Sequence, residues 1–161
     1  MNTALIDAVN TQIALELDSA LLYLAFSVTL KSHGLPGMAH WMRRQYTEEN
    51  LHAMQLINHL EHRLAPVTIP ALTRPLFEWE KPIDIFRLAL AHERRVTLSI
   101  NELVSLCQHE KDYATQYFLF DYVKEQVEEE HQIVSIIDKI LLCGPATSDL
   151  LSLDNELSTR T

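Results

Sequence analysis

The stretch that decides the fold is residues 66–82, PVTIPALTRPLFEWEKP. Its four prolines, Pro66, Pro70, Pro75 and Pro82, exclude a regular helix, because each lacks an amide donor and crowds the turn before it. The chain on either side has the opposite character. Residues 38–65 and 83–143 contain neither glycine nor proline, and neither does the segment 1–33. The other breakers fall in two places, Gly34 with Pro36 and Gly37, and Gly144 with Pro145.

Each uninterrupted segment carries apolar residues at helical spacing, as in Ile6, Val9, Ile13, Leu17, Ala20 and Leu24, and none shows strand alternation. The 61 residues of 83–143 are too many for one ordinary globular helix. The polar run His109-Glu110-Lys111-Asp112 divides them, with Asp112 as an N-cap. The spacing thus predicts helices over about 3–32, 38–64, 83–109 and 113–143, and a short fifth over about 147–157. Gly144 falls at the C′ position of the fourth helix. Connections of about four residues make helices one and two, and three and four, antiparallel neighbours. The long crossover 66–82 can span a bundle from end to end. The expected fold is all-α, a ferritin-like four-helix bundle of two antiparallel hairpins with a long crossover and a short fifth C-terminal helix. At 161 residues it reads as one domain over 1–161.

Composition narrows the function. A domain of this size buries about 70% of its unfolded surface, so it needs neither disulfide nor metal merely to fold. Thirteen basic against 22 acidic residues give a net charge of −9, which disfavours a nucleic-acid surface and favours cations as partners. The N-terminus has no basic start, Asp7 and Glu16 interrupt its apolar run, and no run of 18 apolar residues occurs. No targeting or membrane segment is expected, and the predicted location is cytoplasmic. Cys107 and Cys143 would lie about 42 Å apart along the second hairpin, so no disulfide is expected between them.

The informative residues are the acids that break the apolar stripes. Glu16 lies on the line of Val9, Ile13, Ala20 and Tyr23. Glu49 and His52, at i and i+3, sit among Met42, Tyr46, Ala53 and Leu56. Glu93 is flanked by Phe86, Ala89, Val96 and Ile100, while Gln126 and Glu129 continue the stripe of Leu119, Tyr122, Ile133 and Ile136. With a turn centred near 111, Glu93 and Glu129 each stand 18 residues from it. With a turn centred near 35, Glu16 and Glu49 stand 19 and 14 residues away, a mismatch of about 7.5 Å that two Glu side chains span. Four carboxylates converging in an apolar interior either protonate or surround cations, since bare anions there cost several kcal/mol each. Oxygen-rich ligands with one imidazole suit iron, manganese or a related divalent metal, and Glu-x-x-His is half of a di-iron carboxylate signature.

These residues resemble the bacterial non-haem ferritins. The resemblance is carried by Leu15-Glu16-Leu17 with Leu21-Leu22-Tyr23, by Arg43-Arg44 with Glu48-Glu49-Asn50-Leu51-His52, and by Glu93 with Ile100-Asn101-Glu102-Leu103. Tyr122-Val123-Lys124-Glu125-Gln126-Val127-Glu128-Glu129-Glu130, Ser135-Ile136-Ile137-Asp138-Lys139-Ile140 and Glu156-Leu157-Ser158-Thr159 complete it. It implies a homo-oligomeric shell of 24 subunits that stores ferric mineral, with ferroxidase activity toward Fe(II) and dioxygen or peroxide as oxidant. By position it implies that Glu16, Glu49 and His52 hold one iron. Glu49 bridges to a second iron held by Glu93 and Glu129, with Gln126 near the oxygen side. Glu48, Glu125, Glu128 and Glu129 match a third iron site. Tyr23 matches a tyrosine beside the centre, placed to donate an electron or a hydrogen bond, though a buried structural tyrosine reads equally well.

The departures are also informative. Haem-containing bacterioferritins carry a methionine where this chain has Asn50, so no haem is expected. Glu128-x-x-His131 mimics a second ligand pair but lies one face away from the stripe, and His131 reads as surface or near the third iron site. Positions that form an acidic threefold channel in animal ferritins hold Gln116 and Leu119 here. The remaining histidines, His33, His40, His59, His62, His92 and His109, read as surface or boundary residues. With seven acids assigned to interior metal sites, the outer surface is expected to be nearly balanced. Two other functions fit acids on a bundle. A di-iron oxygenase or peroxidase would carry two aligned Glu-x-x-His pairs, and an interaction bundle would carry no metal.

Overall fold

A computed structural model of the chain describes residues 1–144 and 147–159. Among these are five helices and no strand: α1 (Thr3–Ser32), α2 (Pro36–His62), α3 (Pro82–His109), α4 (Tyr113–Leu142) and α5 (Thr147–Leu157). The expected all-α bundle with its crossover and short fifth helix is the observed one. Pro145 and Ala146, where the last break was expected, lie outside the described residues.

The helix ends follow their capping chemistry. The side chain of Asn2 accepts the Leu5 amide at 2.9 Å and starts α1. As expected, Asp112 caps α4, accepting from Thr115 N at 3.1 Å. Gly34 turns the chain between α1 and α2 with φ +79, a conformation that favours glycine. Contrary to the spacing, α2 begins at Pro36 and contains Gly37. Proline suits a first helical position, whose amide has no partner within the helix. Gly144 also differs from expectation. It is not left-handed, and α4 ends with Cys143 extended while Gly144 N donates to Asp149 Oδ2 at 3.2 Å.

α1 packs along α2, α3 along α4, and α1 also along α3. The crossover runs the length of α1. Asn10 binds it at Pro66 O and Thr68 N, and Asp18 accepts from Thr73 N. Phe77 then meets Phe26 edge-on, and Trp79 meets His33. Contacts that climb from residue 10 of α1 to its C-cap, residue 33, span about 35 Å. α3 therefore starts at the end of the bundle where α1 finishes, and it descends antiparallel to α1. The pairs Gln12 with Ser99 and Ser19 with His92 show the same direction.

α1 contains an 18-residue window of mean hydropathy 1.6, long and apolar enough by composition to cross a membrane. Its buried face also carries Gln12, Glu16, Ser19 and Ser27, and it packs against two other helices. This is the pattern of a bundle core helix.

The apolar interior divides into two clusters. One contains Phe26, Leu30, Met38, Met42, Phe86 and Ile133. The other contains Leu5, Val9, Ile13, Leu60, Ile100 and Leu119. α5 seats Leu153 and Leu157 on the first cluster.

Asp112 also joins α2 to the second hairpin. Its two carboxylate oxygens accept from Arg63 at 2.9 and 2.8 Å. Those bonds, then the Thr115 amide and hydroxyl, hold its carboxyl well below the usual range. A lowered carboxylate pKa means that the stabilisation is present above the unfolded value, about pH 4, and is lost as pH falls through the folded value. Asp112→Ala is expected to cost about 1–2 kcal/mol at pH 7 as a lost cap, with up to about 1 kcal/mol more from the partly exposed pair. Urea unfolding at pH 7 and pH 3 checks this, the difference from the parent narrowing at the lower pH.

Candidate metal centre

Between the two apolar clusters lies a polar layer to which each long helix contributes an acid. On α1, Glu16 stands between Ile13 and Ala20. On α2, Glu49 stands between Met42 and Leu56. Glu93 on α3 stands between Ala89 and Val96, and Glu129 on α4 between Tyr122 and Ile133. All of these residues are buried. The register of the first hairpin is better than the sequence spacing indicated. Ser27 Oγ donates to Ala39 O at 2.8 Å, which places the turn centre at residue 33 and brings Glu16 and Glu49 level within about one residue.

Glu16, Glu49 and His52 are buried, and each offers a ligand atom within 4.8 Å of the others. Glu49 Oε2 lies 3.4 Å from His52 Nδ1. Glu16 Oε2 is buried and has no hydrogen-bond partner. Glu93 completes the layer. The Tyr23 hydroxyl donates to its Oε1, and Gln126 Nε2 donates to its Oε2 at 3.1 Å. Glu129 Oε2 accepts from Gln45 Nε2 at 2.7 Å.

The electrostatics of this layer favour a cation. Burial, then the charge of Glu49, pushes the Glu16 carboxyl well above the usual range. Burial, then the charge of Glu93, does the same to Glu49, and burial raises Glu93 as well. The Tyr23 hydroxyl is also pushed up, by burial and by the Glu93 charge, so it stays protonated and donates. Without a counter-ion the acids resist ionising together. A divalent cation among them replaces that repulsion with attraction, which is how buried carboxylates become hard-oxygen metal ligands.

Three of the nine residues assigned to metal sites lie outside the buried layer. Glu125 and Glu128 are exposed and Glu48 is half-buried. On α4 the buried positions are 122, 126, 129, 133 and 136, and positions 125 and 128 are turned about 100° from 126 and 129. Of the seven acids expected inside the bundle, four are buried there, so the excess negative charge is not mostly interior. Glu125 Oε2 lies 3.2 Å from His52 Nε2, at the edge of the layer. His131 is exposed, as expected.

His92 corrects its surface reading, since it is only 4% exposed. Its Nε2 meets Ser19 Oγ at 2.6 Å and its Nδ1 meets Arg95 at 2.8 Å. Burial, then the Arg95 charge, lowers its pKa to about 4, so it is a neutral bridge between α1 and α3. Two glutamines, Gln12 and Gln45, carry no sequence expectation but support the layer. Gln12 Nε2 donates to Glu16 Oε1 at 2.7 Å, and Ser99 Oγ donates to Gln12 Oε1 at 2.6 Å. Gln45 supports Glu129 as described, and its own Oε1 is buried without a partner. Each glutamine lies four residues before the acid on its own helix, a spacing that was available to be read.

This arrangement can be set beside known proteins. A ferritin-like domain profile matches residues 6–143. The chain belongs to the ferritin family. This ferritin is 36% identical over 154 residues to the bacterial non-heme ferritin of Bacteroides fragilis, with 96% of each chain covered. It is 37% identical over 155 residues to that of Escherichia coli O157:H7, covering 96% of this chain and 94% of the relative. Among solved structures, the open pore ferritin of Archaeoglobus fulgidus superposes with a TM-score of 0.98 at 41% identity. That match covers 100% of this ferritin and 99% of the archaeal chain.

Proposed function

We propose that this ferritin oxidises Fe(II) to Fe(III) at a two-iron centre within each bundle, and stores the product as mineral in a hollow homo-oligomeric shell of 24 subunits in the cytoplasm. The buried Glu16–Glu49–His52 cluster carries this reading, because its ligand atoms already lie within 4.8 Å of one another. Family membership supports the storage role. Iron is substrate and cargo here. Glu16, Glu49 and His52 hold one ion, and Glu49 bridges to a second held by Glu93 and Glu129. Glu48, Glu125, Glu128 and Glu129 serve a third, more exposed position, and no haem takes part.

Each Fe(II) gives up one electron. Dioxygen takes two electrons and two protons to leave as hydrogen peroxide, or peroxide takes two of each to leave as two waters. The residues contribute position and charge. Hard oxygen ligands favour Fe(III) over Fe(II) and so lower the barrier to electron loss. Tyr23 and Gln126, both donating to Glu93, favour its ionised form against the opposing effect of burial and keep the carboxylate aimed. The two apolar clusters keep bulk water from the layer.

His52→Ala tests the reading. Aerobic oxidation of two Fe(II) per subunit, followed by absorbance in a stopped-flow instrument, is expected to lose its fast phase. An unchanged initial rate would overturn the proposal. Size-exclusion chromatography with an iron assay checks the shell, where iron should co-elute with a species of hundreds of kilodaltons.

A further inference from the structure

We infer that the cleft between the end of α1 and the start of α2 binds a tetrahedral oxyanion, as inorganic phosphate or the phosphate group of a small ester, through Lys31, His40 and Arg43. The inference stands apart from the two-iron reading, because none of these residues belongs to the buried acidic layer.

The cleft has a volume of about 360 Å³ and is lined by Ser27, Lys31, Pro36, Ala39, His40 and Arg43. That size lies within the range of small-molecule sites, about 300–1,000 Å³. The turn between α1 and α2 assembles it. Ser27 Oγ donates to Ala39 O at 2.8 Å, which lays the last turn of α1 beside the first turns of α2. Lys31 stands in that last turn. His40 and Arg43 stand at i and i+3 on α2, so they share a face. Three basic side chains therefore line one cleft, and no acid does.

The cations are placed for a ligand. Arg43 Nε donates to the buried Ser27 Oγ at 3.4 Å, which steadies the guanidinium against the cleft wall. Its two terminal nitrogens remain as donors, in a planar fork that fits two oxygens of a phosphate. Among the described residues neither Arg43 nor Lys31 has a carboxylate within 4.0 Å. They stay unpaired in a chain where acids outnumber bases by 22 to 13. The backbone at the start of α2 does not contribute. Pro36 has no amide hydrogen, and the amides of Gly37 and Met38 go to Asp154. Recognition is left to the side chains. A carboxylate offers two oxygens and satisfies the Arg43 fork alone. A tetrahedral oxyanion offers four, two for Arg43 and one each for Lys31 and His40, and it ties α1 to α2.

The test uses the iron-free protein with inorganic phosphate as the probe, followed by calorimetry and phosphorus NMR line broadening. One saturable site per subunit is expected, weakening as ionic strength rises. Lys31 and Arg43 are exposed, so Lys31→Ala and Arg43→Ala are expected to fold. Each should weaken phosphate binding about 10- to 100-fold, the range for a lost charge-assisted hydrogen bond. Arg94→Ala, which removes an exposed cation paired with Glu130, should leave binding unchanged. Methyl phosphate is the second arm. Binding equal to that of inorganic phosphate assigns the site to an ester, and clearly weaker binding assigns it to the free ion. Equal weakening in all three variants would mean a response to net charge alone, and would overturn the inference. So would the absence of saturable phosphate binding to the parent. If phosphate does not bind and Arg43→Glu also breaks up the assembly on size-exclusion chromatography, a carboxylate from a neighbouring copy fills the cleft, and the inference fails. Fast Fe(II) oxidation is expected to persist in Lys31→Ala and Arg43→Ala, so failure here leaves the two-iron reading untouched.

Discussion

Replacing Glu49 by Gln is expected to make the metal-free protein more stable and to abolish its fast oxidation of two Fe(II) per subunit. Glu49 is buried among carboxylates, and burial with the charge of Glu93 drives its carboxyl well above the usual range. A raised carboxylate pKa means that ionisation opposes folding, and the penalty grows as pH rises above the unfolded value of about 4.3. An amide of the same shape carries no such penalty, and it offers Glu16 a permanent donor. The gain should be about 1–3 kcal/mol per subunit at pH 7, shrinking as pH falls toward 4. On the two-iron reading proposed above, the same substitution removes the one ligand shared by both irons. Loss of an outer partner of a metal ligand costs roughly 10- to 100-fold, so loss of the bridge should cost more. Thermal unfolding of metal-free protein and stopped-flow oxidation check the two halves. A variant that is less stable and still oxidises at the parental rate would refute both. On that reading stability and activity pull in opposite directions, because the acids are held together for a cation.

Gly37→Ala is expected to displace α5. Asp154, buried on α5, accepts from Gly37 N at 3.0 Å and Met38 N at 2.7 Å, and so caps the start of α2 from another helix. The approach is so close that a Cβ on Gly37 would lie 1.6 Å from Asp154 O and 2.6 Å from its carbonyl carbon. Backbone atoms cannot yield as the tip of a side chain can, so α5 must move. Movement opens the two cap bonds and exposes Leu153 and Leu157, which are 6% and 7% exposed. Burying one leucine is worth about 1.5–3 kcal/mol and a cap about 1 kcal/mol, so the loss should reach about 3 kcal/mol or more. Hydrogen exchange should rise across 147–157 and at Met38, with little change at Glu16 or Glu93. Asp154→Asn keeps one acceptor oxygen and should cost about 1 kcal/mol. Unaltered exchange in Gly37→Ala would mean that α5 adapts without undocking.

Much of the fold was legible because breakers and helical periodicity act locally. Pro66, Pro70 and Pro75 exclude a helix across 66–81 whatever surrounds them, while Pro82 opens α3 as a first-turn proline can, and Asp112 caps its own Thr115 amide within one turn. Gly37 was misread for the opposite reason. A glycine between two turns looks like a breaker, but here it is the only residue small enough to let Asp154 approach, a contact across 117 positions of sequence.

The sequence by itself determined the element order, the crossover, and the common level of Glu93 and Glu129, because rise and rotation per residue are constants of the helix; the structure brought Glu16 and Glu49 level as well. It also narrowed the metal chemistry, since carboxylates with one imidazole select hard cations. The tertiary structure decided the rest. It put Glu125 on His52 rather than inside the layer, buried His92 against Ser19 and Arg95, set Gln45 on Glu129, and seated α5 on α2. Such partnerships depend on how neighbouring helices rotate and cross, and on which rotamer the packing leaves open. Those quantities are fixed by contacts between residues far apart in the chain, and no local spacing carries them.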